Sequence, residues 1–371
     1  MSEAISAQLG FQTDEQARER VVQTLLTFTT DWPREPTHGF LVHFSNRNFD
    51  ALSEFSTIDT AELVLGAMFA GNYLGGEALE LATELMNSVS WSDAIKSADS
   101  PTIYPVADEV TGEMSGNIRP YNEYYLVAYL AKINSDPGSK AEQYFETYFG
   151  SAGSPPGDGT YPVHKNYWGY DLLTDNPNIF MSSFIPQFCY YLSKGYQVIT
   201  EQHVYNRPCN SSGLPQENLY YSSTLHYAWL QADILYWSLA LSNSSTIWGT
   251  EVYGKVWGAG AGPAPSGYGV ERIDGSPDLV ISAAIMAGFL PAADDSLRAQ
   301  INEQLSWLYE NNVCAYEAPL PDGTRPKILW RCSVRLSDWR APSVDSIDFS
   351  TMILGLATNF LSPDFYSTYS L

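Results

Sequence analysis

The fold is decided by the stretch Thr57-Ile-Asp-Thr-Ala-Glu-Leu-Val-Leu-Gly-Ala-Met-Phe-Ala-Gly, residues 57–71. It opens with polar residues, and apolar residues then occupy every side of the helix that this sequence favours. A surface helix keeps one polar face, so this pattern predicts a helix that is buried all round. The next segment, 77–89, is amphipathic, which predicts a half-exposed helix.

The same alternation of buried and half-exposed helices continues along the chain. Further helices are predicted over 14–28, 121–133, 140–149, 180–198, 218–241, 277–290, 296–309 and 345–361, and short strands over 39–43 and 328–334. This alternation predicts an all-α fold, a double-layered toroid with inner and outer helices and a few short strands in its loops. Since no low-complexity linker divides the chain, a single domain is predicted over 1–371, with 1–35 as its first helix and lead-in.

Composition excludes several classes of protein. The 371 residues include 42 Asp and Glu against 19 Lys and Arg, a formal net charge of −23. This argues against nucleic acid as a partner, because phosphate binding needs clustered Lys and Arg. An aromatic share of 14% with a charged share of 16% argues against disorder. No apolar run approaches the roughly 20 residues of a membrane span, and residues 1–9 show no secretory signal.

Two carboxylates stand three residues apart near the start of the buried helix. Asp59 and Glu62 share one helix face at this spacing. Helix capping and the helix dipole are the structural alternative for Asp59. Glu62 lies between Ala61 and Leu63 in a helix of little polarity, and a buried carboxylate must be paired, protonated or functional. Both residues are therefore candidates for a functional site.

A third candidate carboxylate opens another apolar helix. The segment Arg119-Pro-Tyr-Asn-Glu-Tyr-Tyr places Glu123 in the predicted first turn. Aromatic neighbours favour a protonated carboxyl, which suits a general acid, and capping is again the alternative. Four later acids are candidate bases that could instead cap a helix or turn, namely Asp274, Glu317, Asp345 and Asp348.

Three blocks of sequence resemble one family of enzymes. They are His38-Gly-Phe-Leu-Val-His-Phe, Glu54-Phe-Ser-Thr-Ile-Asp-Thr-Ala-Glu and Tyr121-Asn-Glu. Together they resemble the glycoamylase-like fold of bacterial and fungal β-1,2-glucanases, a module that also occurs as the transglycosylating domain of cyclic β-1,2-glucan synthases. The resemblance implies an (α/α)6 toroid with a family-like core over 36–371.

The resemblance also implies an activity. It is that of an endo-β-1,2-glucanase, which hydrolyses linear β-1,2-glucan to short sophorooligosaccharides with inversion of the anomeric centre. The family's general acid falls on Glu123, and family acids that bind substrate fall on Asp59 and Glu62. A β-glucan is then the expected partner, and an acidic cleft suits a neutral glucan. A periplasmic or secreted location is expected, with a cytoplasmic one left open.

The general base is less well matched. The nearest match to the family's segment is Tyr316-Glu-Ala, which would make Glu317 the base, although the family has Asp at that position. Asp348 and Asp274 remain competitors for the role. The resemblance therefore does not identify the base. Two interpretations stay open, a divergent branch of the family with a different base and an enzyme with another β-glucan preference.

Aromatic and polar residues supply candidate substrate contacts. Aromatic faces stack on the apolar face of a pyranose ring, and the chain has 10 Trp and 25 Tyr. The candidate substrate-binding residues, besides Asp59 and Glu62, are Arg119, Tyr121, Trp168, Trp257 and Asp274. Packing between helices is the alternative for each aromatic residue.

Two other functions are left open at this stage. One is a transglycosylase on the same fold, which product anomers would separate from a hydrolase. The other is a non-catalytic glucan-binding protein, which would bind glucan without releasing reducing ends. No cofactor is expected, and no metal is expected because the His and Cys residues lack metal-ligand spacing.

Four cysteines leave the redox state open. Cys314 and Cys332 form one plausible disulfide pair, and Cys189 and Cys209 form the other. Buried free thiols are the alternative for all four.

Overall fold

The structure is a computed structural model that describes most of the chain. The described residues are 1–149, 163–175, 181–197, 204–205, 219–220, 223–242, 246–247, 249–317, 319–320, 322–336, 339 and 341–371. The chain divides into two units. Unit 1 comprises Met1–Val163, Cys189–Ser223 and Leu361–Leu371, and unit 2 comprises His164–Phe188 and Thr224–Phe360.

About half of the described residues are helical, and the strands are short. The helices are α1 (Ser2–Gln8), α2 (Asp14–Thr30), α3 (Thr57–Leu74), α4 (Gly76–Asn87), α5 (Tyr125–Ile133), α6 (Lys140–Phe149), α7 (Phe184–Leu192), α8 (Lys194–Gln197), α9 (Ser223–Ser242), α10 (Ala283–Gly288), α11 (Asp295–Glu310), α12 (Ser346–Ala357) and α13 (Phe365–Tyr369). Short 3₁₀ turns cover Trp91–Ala94, Gly249–Val252 and Leu290–Ala292.

The strands form small antiparallel pairs and one sheet of four. They are β1 (Leu41–Val42), β2 (Phe55–Ser56), β3 (Ile95–Ser97), β4 (Ser100–Ile103), β5 (Val106–Ala107), β6 (Met114–Ser115), β7 (Val163–Tyr167), β8 (Tyr170–Thr174), β9 (Val204–Tyr205), β10 (Leu219–Tyr220), β11 (Ala261–Ala264), β12 (Gly267–Val270), β13 (Val280–Ser282), β14 (Ala315–Glu317), β15 (Lys327–Leu329) and β16 (Arg331–Ser333). The four-stranded sheet has the order β1-β2-β5-β6.

The deciding stretch forms α3 in unit 1, as predicted. Eleven of its 18 residues are buried, among them Thr60, Val64 and Phe69, and none is fully exposed. The neighbouring α4 buries a single face, which confirms its predicted amphipathic character. Gly71 lets the two helices approach closely, because a Cβ there would lie 2.9 Å from Cα of Leu79.

The four-stranded sheet positions the start of α3. β2 pairs with β1 through Leu41 and Ser56, and with β5 through Phe55 and Ala107. β2 ends at the residue before α3, so the sheet fixes the direction in which the chain enters the helix. The Thr57 amide adds a hydrogen bond to the Pro105 carbonyl at 3.0 Å.

Several predicted helices differ from the structure. The helix predicted over 180–198 is two helices, α7 and α8, and the helix predicted over 218–241 begins only at Ser223, after the strand β10.

The helix predicted over 277–290 is β13 followed by the short α10, because 280–282 pair with the distant strand β16. The helix predicted over 121–133 begins only at Tyr125. Strand pairing decided the first of these two boundaries and the hydrogen bonds of a turn at Asn122 decided the second, and helix periodicity reports neither.

One predicted disulfide is present. Cys314 and Cys332 are bonded in unit 2, with their Cα atoms 5.1 Å apart. Cys189 is a buried free thiol, and Cys209 lies outside the described residues.

The (α/α)6 toroid and the single domain over 1–371 stay predictions. None of the helices in the described part of the chain is both long and apolar enough to cross a membrane.

Candidate active site

The first turn of α3 carries the first predicted acid, Asp59. The N-cap of the helix is Ser56, whose hydroxyl accepts the Asp59 amide at 3.3 Å and donates to the Asp59 carboxylate. Asp59 is therefore not the capping residue that was its structural alternative. Its side chain is 42% exposed, so the carboxylate can reach a ligand.

Glu62 follows on the same helix and is half-buried. Burial raises the pKa of its carboxyl well above the ordinary value of 4.5, and the negative charges of Asp59 and Glu123 raise it further. The effect of these charges shows that the structure brings the three predicted acids together in unit 1. We call Asp59, Glu62 and Glu123 the acid cluster.

Glu123 lies in the turn that precedes α5, rather than in the first turn of the helix as predicted. The Asn122 side chain accepts the Tyr124 amide at 2.8 Å, and the Asn122 carbonyl accepts the Tyr125 amide at 3.1 Å. These bonds hold the turn and delay the start of the helix. Glu123 is half-buried at this position.

Tyr124 adds a phenol to the acid cluster. Burial raises the pKa of Tyr124, and so do the charges of four carboxylates, Glu123, Asp59, Glu62 and Glu54. The phenol therefore lies among the three predicted acids and a fourth, Glu54, which was not predicted as a site residue.

His43 joins Glu54 to the acid cluster. Its Nδ1 lies 3.2 Å from Oε1 of Glu54, and its Nε2 lies 3.7 Å from Oδ1 of Asp59. A hydrogen bond from the Glu54 backbone amide lowers the pKa of the Glu54 carboxyl, and a hydrogen bond from His43 lowers it further. Sequence reasoning missed His43, Glu54 and Tyr124 as functional residues, although each belongs to or adjoins the blocks that carry the family resemblance.

A groove of about 270 Å³ opens beside Glu54 in unit 1. It is lined by residues 53–55, residues 106–109 and Ser115. The lining includes hydroxyls and carboxylates, which are the groups that hydrogen-bond to sugar hydroxyls.

The other candidates of unit 1 divide by exposure. Arg119 is exposed. Tyr121 is buried, its hydroxyl donates to the Tyr148 carbonyl, and its ring packs against Phe149 with centroids 5.4 Å apart.

Unit 2 brings the loop of Trp168 next to the loop that carries Asp274. Trp168 and Gly169 both have positive φ, 56° and 96°, in the two-residue turn between β7 and β8. A non-glycine residue with such a φ is strained, and the indole Nε1 holds it by donating to the Ile273 carbonyl at 2.8 Å. The adjacent Asp274 accepts Arg272 Nη2 at 2.7 Å. The indole remains 43% exposed.

Trp257 is an interior residue of unit 2. It is 2% exposed, and its Nε1 donates to Oε1 of Gln304 at 3.0 Å. The packing alternative therefore describes Trp257, and we keep it out of the proposed substrate contacts.

Asp348, one of the candidate bases, is a partner of the buried Arg331. Arg331 Nη1 donates to Asp348 at 2.9 Å and Nη2 donates to Glu271 at 2.6 Å. Ser282 Oγ also donates to Asp348, at 2.8 Å, as does the Ala261 amide at 3.2 Å. Burial raises the pKa of Glu271 to about 8 despite the arginine. We call Glu271, Arg331 and Asp348 the arginine cluster.

Glu317, another of the candidate bases, has a different environment. It is exposed on β14, where it pairs across the hairpin with Lys327 of β15. It therefore meets solvent, whereas Asp348 has no exposed surface.

Comparison with known proteins supports the fold. No family model and no curated protein matches the chain. An endo-β-1,2-glucanase from Chitinophaga pinensis, solved with sophorotriose and glucose, is 15% identical over 99% of this chain and 81% of its own, with a TM-score of 0.67. A candidate glucoamylase from Bacteroides uniformis is 17% identical over 99% and 82%, with a TM-score of 0.72.

A third solved structure agrees. A β-1,2-glucanase from Parabacteroides distasonis is 15% identical over 96% of this chain and 50% of its own, with a TM-score of 0.66. Identities this low show a shared fold and nothing finer. At the level of the fold, the three solved structures confirm the resemblance to β-1,2-glucanases found in the sequence.

Proposed function

We propose that the protein is a glycoside hydrolase, an endo-β-1,2-glucanase that cleaves linear β-1,2-glucan to short sophorooligosaccharides with inversion. The observation that carries this proposal is the acid cluster, in which burial and then the neighbouring carboxylates raise the pKa of Glu62 well above its ordinary value. The fold shared with an endo-β-1,2-glucanase supports the choice of substrate.

The acid cluster provides two of the groups that glycoside hydrolysis needs. Glu123 protonates the glycosidic oxygen of the departing chain, the role that the resemblance gives it. The raised pKa of Glu62 favours its protonated form, and a protonated carboxyl can donate a hydrogen bond to a sugar hydroxyl. Asp59 accepts hydrogen bonds from sugar hydroxyls.

An inverting hydrolase also needs a base that removes a proton from water, directly or through a sugar hydroxyl. Glu317 is the candidate that we carry forward, because it is exposed. Asp348 is fully buried and accepts hydrogen bonds from Arg331, Ser282 and Ala261, which suits a structural role.

Exposed residues are the better candidates for substrate contacts. Trp168 presents an indole ring that a sugar could stack on, next to Asp274. Arg119 is exposed in the segment that leads to Glu123. Tyr121 is buried and, like Trp257, is not part of the proposed contacts.

A comparison of two substrates tests the assignment of the acid. An aryl β-sophoroside with a good leaving group does not need protonation at the leaving oxygen, whereas glucan does. We expect Glu123→Gln to lower kcat on linear β-1,2-glucan by roughly 10³-fold and on the aryl sophoroside by less than roughly 10-fold.

Glu62→Gln is the matched variant from the same cluster. A residue that binds substrate affects both substrates alike, so we expect equal losses for this variant. If instead Glu62→Gln lowered kcat on glucan but kept kcat on the aryl sophoroside, the acid role would move to Glu62.

A further inference from the structure

His43 lies between two carboxylates with its ring held on one face. Its Nδ1 lies 3.2 Å from Glu54 and its Nε2 lies 3.7 Å from Asp59. The ring stacks on Phe44 with centroids 3.8 Å apart and an interplanar angle of 24°. These three contacts fix the direction of both ring nitrogens.

The arrangement suits a charged imidazole. A neutral imidazole has one N–H, so a ring that donates from Nδ1 to Glu54 turns the Nε2 lone pair toward Asp59. The imidazolium can donate from both nitrogens. The charged groups recorded around the ring are Glu54, just before β2, and Asp59, in α3, while Phe44 is uncharged.

Asp59 is then held through both of its oxygens. The Ser56 hydroxyl donates to Oδ2, and His43 faces Oδ1.

We propose that His43 is a positioning residue whose imidazolium, bridged to Glu54, aims the Asp59 carboxylate at the substrate. The proposal rests on the proposed function, in which Asp59 binds sugar hydroxyls. It goes beyond that function because it makes substrate affinity depend on His43, a residue outside the acid cluster.

Two neutral variants separate the two ring nitrogens. The amide nitrogen of glutamine replaces Nε2, so His43→Gln keeps a donor toward Asp59, while His43→Asn keeps one toward Glu54. We expect His43→Asn to raise KM for linear β-1,2-glucan by about 10-fold with kcat changed by less than about 2-fold, and His43→Gln to raise KM by about 3-fold.

The split between KM and kcat distinguishes a positioning role from simple packing. A misaimed Asp59 weakens glucan binding and so raises KM with little change in kcat, whereas a packing defect lowers the folded fraction, and with it kcat, at unchanged KM. His38→Gln is the matched control, because His38 also bonds to a carboxylate, Asp93 at 3.0 Å, and to the Gly112 carbonyl at 2.9 Å. It should keep the wild-type KM.

A double-mutant cycle tests the contact without glucan. His43→Asn, Asp59→Asn and the double variant are unfolded in urea at pH 5.5, and we expect a coupling of about 3-fold in the unfolding equilibrium constant. Additive effects would overturn the proposal. A coupling without any change in KM would overturn the positioning role.

The two failures can be told apart. Wild-type protein that neither cleaves nor binds β-1,2-glucan contradicts the proposed function, while the cycle still reports whether His43 holds Asp59. If the wild-type protein is active and both His43 variants keep its KM, only the present proposal is contradicted.

Discussion

The acid cluster of unit 1 and the arginine cluster of unit 2 place the same kind of side chain in opposite settings. In the arginine cluster, Glu271 and Asp348 are buried and share Arg331, which is itself fully buried. In the acid cluster, Asp59 is 42% exposed and faces the partly exposed His43. Buried carboxylates with a full set of protein partners hold the fold, and exposed ones with few partners are available to a ligand.

The difference explains why some acidic residues of the sequence are structural and others are candidates for the site. Asp348 and Glu62 both lie in apolar helices, and from the sequence each could be a base, an acid or a structural residue. Asp348 accepts hydrogen bonds from an arginine, while burial and neighbouring acids favour the neutral form of Glu62. The partners, rather than the carboxylate, decide the role.

The largest expected effect comes from removing the shared cation. Arg331→Met leaves Glu271 and Asp348 buried together without their partner. We expect the free energy of unfolding to fall by about 3–5 kcal/mol, measured by urea denaturation at pH 7. Arg272→Met, which removes a half-exposed pair with Asp274, should cost about 1 kcal/mol or less. Equal losses would show that burial does not separate the two pairs.

A smaller effect is expected from one methyl group beside the arginine cluster. In Gly260→Ala, the Cβ would lie 2.1 Å from Oδ2 of Asp348 and 2.8 Å from Nη1 of Arg331, so the ion pair must open. We expect a loss of about 2–3 kcal/mol in the free energy of unfolding. Gly275→Ala is the control, because a Cβ there meets open space, and it should change stability by less than about 1 kcal/mol. A fully tolerated Gly260→Ala would contradict the close packing.

The smallest effect is a change in pH dependence at the acid cluster. The pKa of Glu62 is raised in the folded protein, so above pH 4.5 the folded state binds more protons than the unfolded state. Its contribution to stability is therefore lost as the pH rises toward the folded-state pKa. Glu62→Gln removes this loss, and we expect it to gain roughly 1 kcal/mol on the wild type between pH 5 and pH 8 in urea denaturation. Glu80→Gln, an exposed acid on α4, should follow the wild type, and the same pH dependence in Glu62→Gln would contradict the raised pKa.

The sequence predicts best what depends on neighbours along the chain. The buried α3 and its first-turn acids could be predicted because an apolar stretch with a polar start is a local signal. The start of α5 was placed four residues early, because the hydrogen bonds of Asn122 hold the preceding turn. The strand β13 was mistaken for helix because its partner, β16, is far away in sequence.

The arginine cluster and His43 show where sequence reasoning stops. Arg331 stands in the apolar segment Trp330-Arg-Cys, and a lone charge there indicates a buried partner. Its partners lie 17 and 60 residues away, so only the fold identifies them. His43 lies within a block that carries the family resemblance, but its contacts to Glu54 and Asp59 require the path of β1 and β2.

The most direct test of the central claim is a product assay with linear β-1,2-glucan, in which NMR follows the anomer for the wild type and for Glu123→Gln. The account predicts short sophorooligosaccharides released with inverted anomeric configuration by the wild type and loss of this release in the variant. Retained configuration, or cyclic and elongated products, would contradict the hydrolase and indicate a transglycosylase. Bound glucan without new reducing ends would contradict the enzyme, and turnover unaffected by Glu123→Gln would contradict Glu123 as the acid.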